Sequence, residues 1–207
     1  MKKKFLVLLL TLPLIPLLSF AQSKRAFKKE IKKHRKYYKK EFAEDARSPF
    51  HKKEKEMKHM KFFKPNRNYR LEGSFALTPN AESFDMATYS GITKPYVKYG
   101  VATVMLDGKP LQVNVYQNIR LREMEKYKDY LFIPFKDITN GESTYGGGRY
   151  IDLKMNDIKN GKVIIDFNKC YNPWCAFSDG YNCPVPPIEN HFDLAIQAGE
   201  KNFAKKH

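Results

Sequence analysis

The chain has 207 residues, with 38 Lys and Arg against 22 Asp and Glu, which gives a formal net charge of +16. A chain of this length can bury a core as one domain, or as one domain with an arm. Its three cysteines exclude a small disulfide-stabilised scaffold, because they close at most one pair. Beyond the first 21 residues no apolar run approaches the roughly 20 residues that span a bilayer.

The N-terminus has the pattern of an export signal. Residues 2–4 are lysines, residues 5–20 are almost wholly apolar, and Ser19 and Ala21 provide the small side chains that a signal peptidase reads. We predict that residues 1–21 are cleaved and that the mature protein is periplasmic or extracellular. The alternative is a permanent membrane anchor, which the short apolar length and its two prolines disfavour.

The positive charge is concentrated in one part of the chain. Residues 22–64 hold 17 Lys and Arg against 6 Asp and Glu, whereas residues 65–207 hold 18 against 16. This basic arm is either a solvated helix face or a surface for weak contact with an anionic membrane. Nucleic acid is not an expected partner, because the protein is predicted to be exported.

Apolar side chains in the arm recur at helical spacing, at Phe27, Ile31, Tyr38 and Phe42. They predict an amphipathic helix over residues 24–40 that docks on the rest of the protein. Ser48-Pro49 favours a stop, since the residue before a proline avoids helical geometry. A short polar helix over residues 52–60 can follow. We therefore divide the mature chain into an arm, 22–64, and a β-rich domain, 65–207.

Beyond residue 63 the apolar pattern changes to the alternation of β-strands. Asp107-Gly108 and a loop ending in Asn160-Gly161 each predict an antiparallel hairpin, and Phe192, Leu194, Ile196 and Ala198 alternate as in a last half-buried strand. The predicted strands cover residues 69–77, 84–89, 96–105, 110–116, 130–135, 150–155 and 162–167. The predicted fold is α+β, mainly antiparallel β, a sandwich or partly open barrel preceded by one or two N-terminal helices.

Three phrases in the second half of the chain resemble a known family. They are PF-D-T-GE-TYGGGRY, DFN-YNP-CA and CP-PP-EN, and they lie between residues 134 and 190. In this order they resemble the bacterial DUF1684 family, and the likeness extends from about the second helix to Glu200. The resemblance implies a soluble bacterial domain that is often exported. It supplies no activity, substrate or catalytic residue.

A triple glycine, Gly146 to Gly148, stands directly before Arg149. Exposed backbone N–H groups and an arginine fork can together bind a phosphate or a carboxylate. The alternative is a tight turn into the next strand, with Arg149 paired to an acid such as Glu142 or Asp166. The spacing does not match a P-loop, which needs a GK[ST] ending.

Four carboxylates stand beside hydroxyl or amide side chains: Asp137, Glu142, Asp166 and Glu189. Converging carboxylates could act as an acid and a base in a hydrolase, with Glu142 or Asp166 as the catalytic base. The alternative is a structural network that satisfies loop backbone. We predict no metal site, because the sequence has no D-x-D loop or H-E-x-x-H motif.

Cys175 and Cys183 are the candidate disulfide. Such a short loop would stabilise the fold by roughly 2 to 3 kcal/mol, and an oxidising compartment would permit it. Reduced, packed thiols are the alternative. Around the cysteines, prolines make a stiff loop whose aromatic side chains either wall a pocket or cap the open end of the β-domain.

Three hypotheses for function remain open, and none identifies a cofactor. The first is a module that binds a small polar or anionic ligand within residues 137–190, with Arg149 as the charge anchor. The second is the carboxylate hydrolase, and the third is a structural role in the cell envelope. The residues predicted to bind the ligand are Asp137, Thr144, Tyr145, Arg149, Asn168, Tyr171, Asn172 and Glu189.

Overall fold

A computed structural model describes the backbone of residues 16–204 and the side chains of residues 24–204. Most of the predicted signal peptide lies outside the described residues, so its cleavage and the export of the protein stay predictions. Within residues 16–204, no helix combines the length and the apolar character that crossing a membrane requires.

A long helix, α1, extends from Pro16 to Glu44 and forms the first half of the arm, which confirms the amphipathic helix predicted over residues 24–40. Its apolar side chains Phe27, Ile31 and Phe42 are buried against the rest of the protein. The predicted second helix is a 3₁₀ helix, Glu54–His59, that buries Met57. The division of the chain into an arm and a β-rich domain stays a prediction.

Eight strands follow in a mainly antiparallel, curled half-barrel, which confirms the predicted fold class. The sheet order is β6-β5-β4-β3-β1-β7, with β2 paired to β3 and β8 parallel to β5. A four-residue helix, α2 (Ile119–Arg122), follows β4. The strands are β1 (Arg70–Leu77), β2 (Ser83–Ala87), β3 (Thr93–Leu106), β4 (Lys109–Asn118), β5 (Tyr130–Asp137), β6 (Arg149–Lys154), β7 (Lys162–Asp166) and β8 (His191–Phe192).

One predicted hairpin is confirmed and the other is wrong. β3 and β4 pair through the turn at Asp107 and Gly108, both of which have positive φ. β6 and β7 do not pair, because β6 pairs with β5 and β7 with β1, at opposite ends of the sheet order. The connection of residues 155–161 contains a 3₁₀ turn, Met155–Asp157. Seven connecting residues reach at most about 28 Å, so the curled sheet keeps its two outer strands near each other.

The two faces of the sheet bury different side chains. Aliphatic and phenylalanine side chains, such as Val113, Ile133 and Ile165, form the main core on one face. The neighbouring positions on the strands point to the other face, because strand side chains alternate. There the second cluster is mainly aromatic and comprises Met86, Tyr96, Tyr116, Phe132 and Tyr150.

The proline-rich loop after β7 supports α1. Trp174 and Phe177 pack with Phe42 and Phe50 in a third cluster, and their rings lie 5.9 and 5.4 Å from the ring of Phe42. The sequence predicted that these aromatic side chains wall a pocket or cap the open end of the β-domain. Trp174 and Phe177 do neither. They form the surface on which the arm docks.

The C-terminal segment is held by a buried ion pair and by an isolated antiparallel β-bridge between Phe62 and Glu200. The predicted last strand is wrong beyond Phe192, where β8 ends, although Ile196 and Ala198 are buried as expected. Arg149 lies fully buried at the start of β6. Its guanidinium donates to Asp137 Oδ2 at 2.6 Å, to the Ile196 carbonyl at 2.9 Å and to the Ala198 carbonyl. The fork of Arg149 therefore replaces strand partners for these carbonyls.

We predict that Arg149→Met lowers the free energy of unfolding by about 3 to 5 kcal/mol, because Asp137 would then be a buried charge without its partner. Urea denaturation followed by circular dichroism measures the change. The matched control is Arg122→Met on α2, whose side chain is exposed, and which we expect to alter stability by less than about 0.5 kcal/mol. Equal stability of the Arg149 variant and the wild type would contradict the assignment.

Candidate functional site

The triple glycine forms a turn that leads into β6. Gly147 is buried and its carbonyl accepts from the Tyr89 hydroxyl at 2.7 Å. Gly148 has φ +90°, and a Cβ there would lie within 3 Å of the Phe135 carbonyl, so glycine is required. Arg149 pairs with Asp137, not with Glu142 or Asp166. The Arg149 guanidinium is engaged inside the protein, so the structure gives no support to its predicted role as a ligand anchor.

The structure does not support the predicted carboxylate chemistry. Asp166 is buried and lies 2.7 Å from the Arg70 guanidinium, while Glu142 is exposed on a turn. Asp137 also accepts from the Thr139 backbone at 2.8 Å. An acid–base pair needs two carboxyl groups in one open cleft with different pKa values. Asp137 and Asp166 are held in ion pairs, so we do not assign Asp166 or Glu142 a catalytic role.

The remaining predicted ligand residues take part in internal hydrogen bonds. Asn168 bonds to both backbone groups of Asn66 at 2.8 Å, and the Thr144 hydroxyl lies 2.9 Å from that of Thr139. The Tyr145 hydroxyl reaches the Cys175 carbonyl at 3.4 Å. The Tyr171 hydroxyl donates to Asp152 at 2.6 Å, as the Tyr130 hydroxyl does at 2.7 Å, and Asn172 donates to the Lys201 carbonyl at 2.8 Å. These bonds fit the alternative that we stated, a structural network.

Cys175 and Cys183 form a disulfide, and Cys170 is a buried free thiol. Across the described residues, no group of three His, Cys, Asp or Glu side chains is arranged to hold a metal ion.

Among the predicted residues, Glu189 lines an open cavity. The cavity measures about 440 Å³, within the range of small-molecule sites. Glu189 lies 3.9 Å from Lys98 Nζ, and these side chains are 41% and 35% exposed. We call this cavity the Lys98–Glu189 groove. Its lining residues are Thr78, Pro79, Asn80, Ala81, Glu82, Phe84, Lys98 and Glu189.

A β-bulge brings Lys98 to the groove. The register of β3 against β4 shifts between Lys98 and Gly100, so that Lys98 is directly opposite Tyr116. Without the extra residue, Lys98 would point to the same face as Ala102 and the main core. Tyr116 donates its hydroxyl to Glu189 at 3.0 Å, and its ring is in edge contact with Phe84. Burial and the nearby Glu189 charge raise the pKa of Tyr116, so the phenol stays a donor.

Asn190 fixes the position of Glu189. The fully buried Asn190 amide donates to the Asn114 and Pro134 carbonyls at 2.9 Å each. Its oxygen accepts from the Asn114 backbone at 2.8 Å. These bonds attach the proline-rich loop to β4 and β5. They leave the preceding residue, Glu189, at the edge of the aromatic face.

The family model for a protein of unknown function, DUF1684, matches residues 55–201. The chain belongs to the DUF1684 family. An uncharacterized protein from Haloarcula marismortui, solved by solution NMR, is similar to this DUF1684 protein with a TM-score of 0.66 and 29% identity. The similarity covers 87% of this chain and 96% of that one. No curated protein matches the sequence.

A second buried polar group of this DUF1684 protein, at Glu200, was not predicted from the sequence. Glu200 is fully buried, and its Oε2 accepts from the Asn172 backbone at 2.9 Å and from the Tyr38 hydroxyl of α1 at 3.4 Å. Its Oε1 has no partner among the described residues, nor has the Asn172 amide oxygen. Burial raises the pKa of Glu200 to about 8, against the opposing effect of these two hydrogen bonds.

We predict that folding stability declines as the pH rises from about 4.5 to about 8, because folded Glu200 keeps a proton that the unfolded chain releases. The slope contributed by this group is about 1.4 kcal/mol per pH unit. In Glu200→Gln this slope disappears, since the amide mimics the neutral acid. Urea unfolding at several pH values measures it, with the exposed Glu142→Gln as control. An unchanged slope in Glu200→Gln would contradict the prediction.

The sequence carried a weak signal for Glu200 and none for Lys98. Glu200 follows an alternating run, residues 192–198, whose apolar members are mostly buried, so an acid at its end could have been suspected. Lys98 and Glu189 lie in distant parts of the chain, and only the bulge and the loop attachment bring them together.

Proposed function

We propose that this DUF1684 protein binds a small polar ligand in the Lys98–Glu189 groove. The observation that carries the proposal is the exposed pair of opposite charges in a cavity of about 440 Å³. At 3.9 Å and partly exposed, this pair is loose, and such pairs contribute little to stability. Lys98 and Glu189 can therefore each give up the ion pair and bind a ligand instead, at a small cost in free energy.

The chemistry of the groove favours a ligand with a hydrogen-bond donor or a positive charge. Two carboxylates, Glu82 and Glu189, face one ammonium group, Lys98. A purely anionic ligand would meet this negative surplus. An amino acid or an amino sugar would place its amino group near the carboxylates and its acceptor near Lys98. The partly exposed Phe84 ring offers an apolar or cation–π contact beside them.

The fold holds the two charged groups of the groove, Lys98 and Glu189, in position before a ligand binds. Tyr116 donates to the Glu189 carboxylate, the bonds of Asn190 to Asn114 fix the backbone beside Glu189, and the bulge sets the direction of Lys98 on β3. Groups held on strands need little reordering when a ligand binds. We therefore propose that the ligand binds in this exposed groove and not at Arg149, where the sequence had suggested an anion site.

We predict that glycine, lysine, glucosamine or glucose raises the melting temperature of the wild-type protein, and that glucose 6-phosphate does so less. A ligand at 100 times its Kd adds about 2.7 kcal/mol to the free energy of unfolding. Glu189→Gln and Lys98→Met should each abolish the shift. Gln keeps an acceptor for Tyr116, so the fold is preserved.

The matched controls are Glu123→Gln and Lys109→Met, which are exposed and outside the groove. They should keep the full shift. If the groove variants keep it as well, the ligand binds elsewhere and the proposed site is wrong. If no compound shifts the wild type, binding of these ligand classes is rejected.

A further inference from the structure

The solvent face of α1 carries an unneutralised row of basic side chains. Each is exposed, and none forms an ion pair with any residue that the structure describes. At 100° per residue they fall within an arc of about 140°. We call this row the basic stripe, and its members are Arg25, Lys28, Lys29, Lys32, Lys33 and Lys36.

The opposite side of α1 is fully engaged, so the stripe has a fixed orientation. Phe27 and Ile31 are buried, and Tyr38 reaches Glu200. Glu30 is the one carboxylate in residues 24–40, and it turns towards the body, where it pairs with Arg70 at 2.5 Å and with Lys169 at 3.6 Å. The stripe therefore presents positive charge without an acidic neighbour to offset it.

The stripe differs in character from the rest of the protein. The family model matches residues 55–201, so the stripe lies outside the matched range. Residues 65–207 carry a surplus of only two positive charges. Long-range attraction to an anionic surface would thus orient the molecule with α1 towards that surface.

The neighbouring sequence indicates which anionic surface it meets. α1 begins at Pro16, inside the apolar segment 5–20, and continues without a break into the stripe. From Phe20 to Lys36 the helix rises by about 24 Å. Before the predicted cleavage, contact of the apolar segment with a bilayer places the stripe beside the lipid headgroups, and cleavage then releases the protein at that surface. Basic side chains close to a surface of anionic lipids are attracted to it.

We propose that the basic stripe docks this protein on an anionic lipid surface. The apolar side of α1 is occupied by the body, so the contact is electrostatic and does not require insertion of the helix. Duplex DNA is the competing polyanion. The arc of the stripe contains no aromatic side chain on which bases could stack, which favours the lipid surface.

The test uses a chain that begins at Gln22, so that the apolar segment cannot anchor it. Every buried side chain that the structure describes lies at or beyond Phe27, so this chain keeps the described core. Sedimentation with vesicles compares phosphatidylcholine alone with a mixture containing phosphatidylglycerol. We expect binding to the anionic vesicles only, and weaker binding as salt is added.

Two variants with equal charge change separate the stripe from net charge. The stripe variant changes Lys28, Lys29, Lys32, Lys33 and Lys36 to Gln. The control variant changes Lys53, Lys109, Lys128, Lys154 and Lys159, which are also exposed, to Gln. We expect the partition coefficient to fall at least tenfold in the stripe variant and less than twofold in the control, while both keep the wild-type circular dichroism spectrum.

Three results would overturn the proposal. The first is no binding to anionic vesicles, or equal binding to neutral ones. The second is an equal loss in the two variants, which would assign the effect to net charge. The third is equally tight binding to duplex DNA at the same salt concentration, which would make the stripe a general polyanion surface.

Discussion

The buried ion pair between Arg149 and Asp137 is the interaction on which the C-terminal half of the fold depends. Arg149 begins β6, Asp137 ends β5, and the same guanidinium holds the carbonyls of Ile196 and Ala198. One side chain thus joins two strands to a segment that lies outside the named strands of the sheet. A planar group with several donors is needed here, and lysine could not replace it.

The segment that Arg149 holds also connects the body to α1. Directly after Ala198, Gly199 has positive φ and lies against Cys170, and Glu200 reaches both Asn172 and the Tyr38 hydroxyl. The aromatic cluster around Phe42, Phe177 and Trp174 supports the same helix from the side. The orientation of the arm therefore follows from the buried polar groups beneath it, and with it the direction in which the basic stripe faces.

The sequence predicted what depends on local pattern. Alternation and turn residues located β3 and β4 and the turn at Asp107, and helical spacing located the buried face of α1. The cysteine spacing suggested the disulfide. The failures concern long-range partners: a loop ending in Asn160-Gly161 looks like a hairpin turn, yet β6 and β7 pair with other strands because the sheet curls. Likewise, the glycines before Arg149 are compatible with a binding loop, and only burial decides that they form a turn.

The central claim is that Arg149 is locked inside the protein and that the exposed charges of the groove are free to bind. The most direct measurement is NMR of the arginine side chains in the chain labelled with nitrogen-15. We predict separate Arg149 Nη–H signals that exchange slowly with solvent and do not move when a groove ligand is added, in contrast to the exposed Arg122. Rapid exchange at Arg149, or ligand-dependent shifts there, would contradict the account.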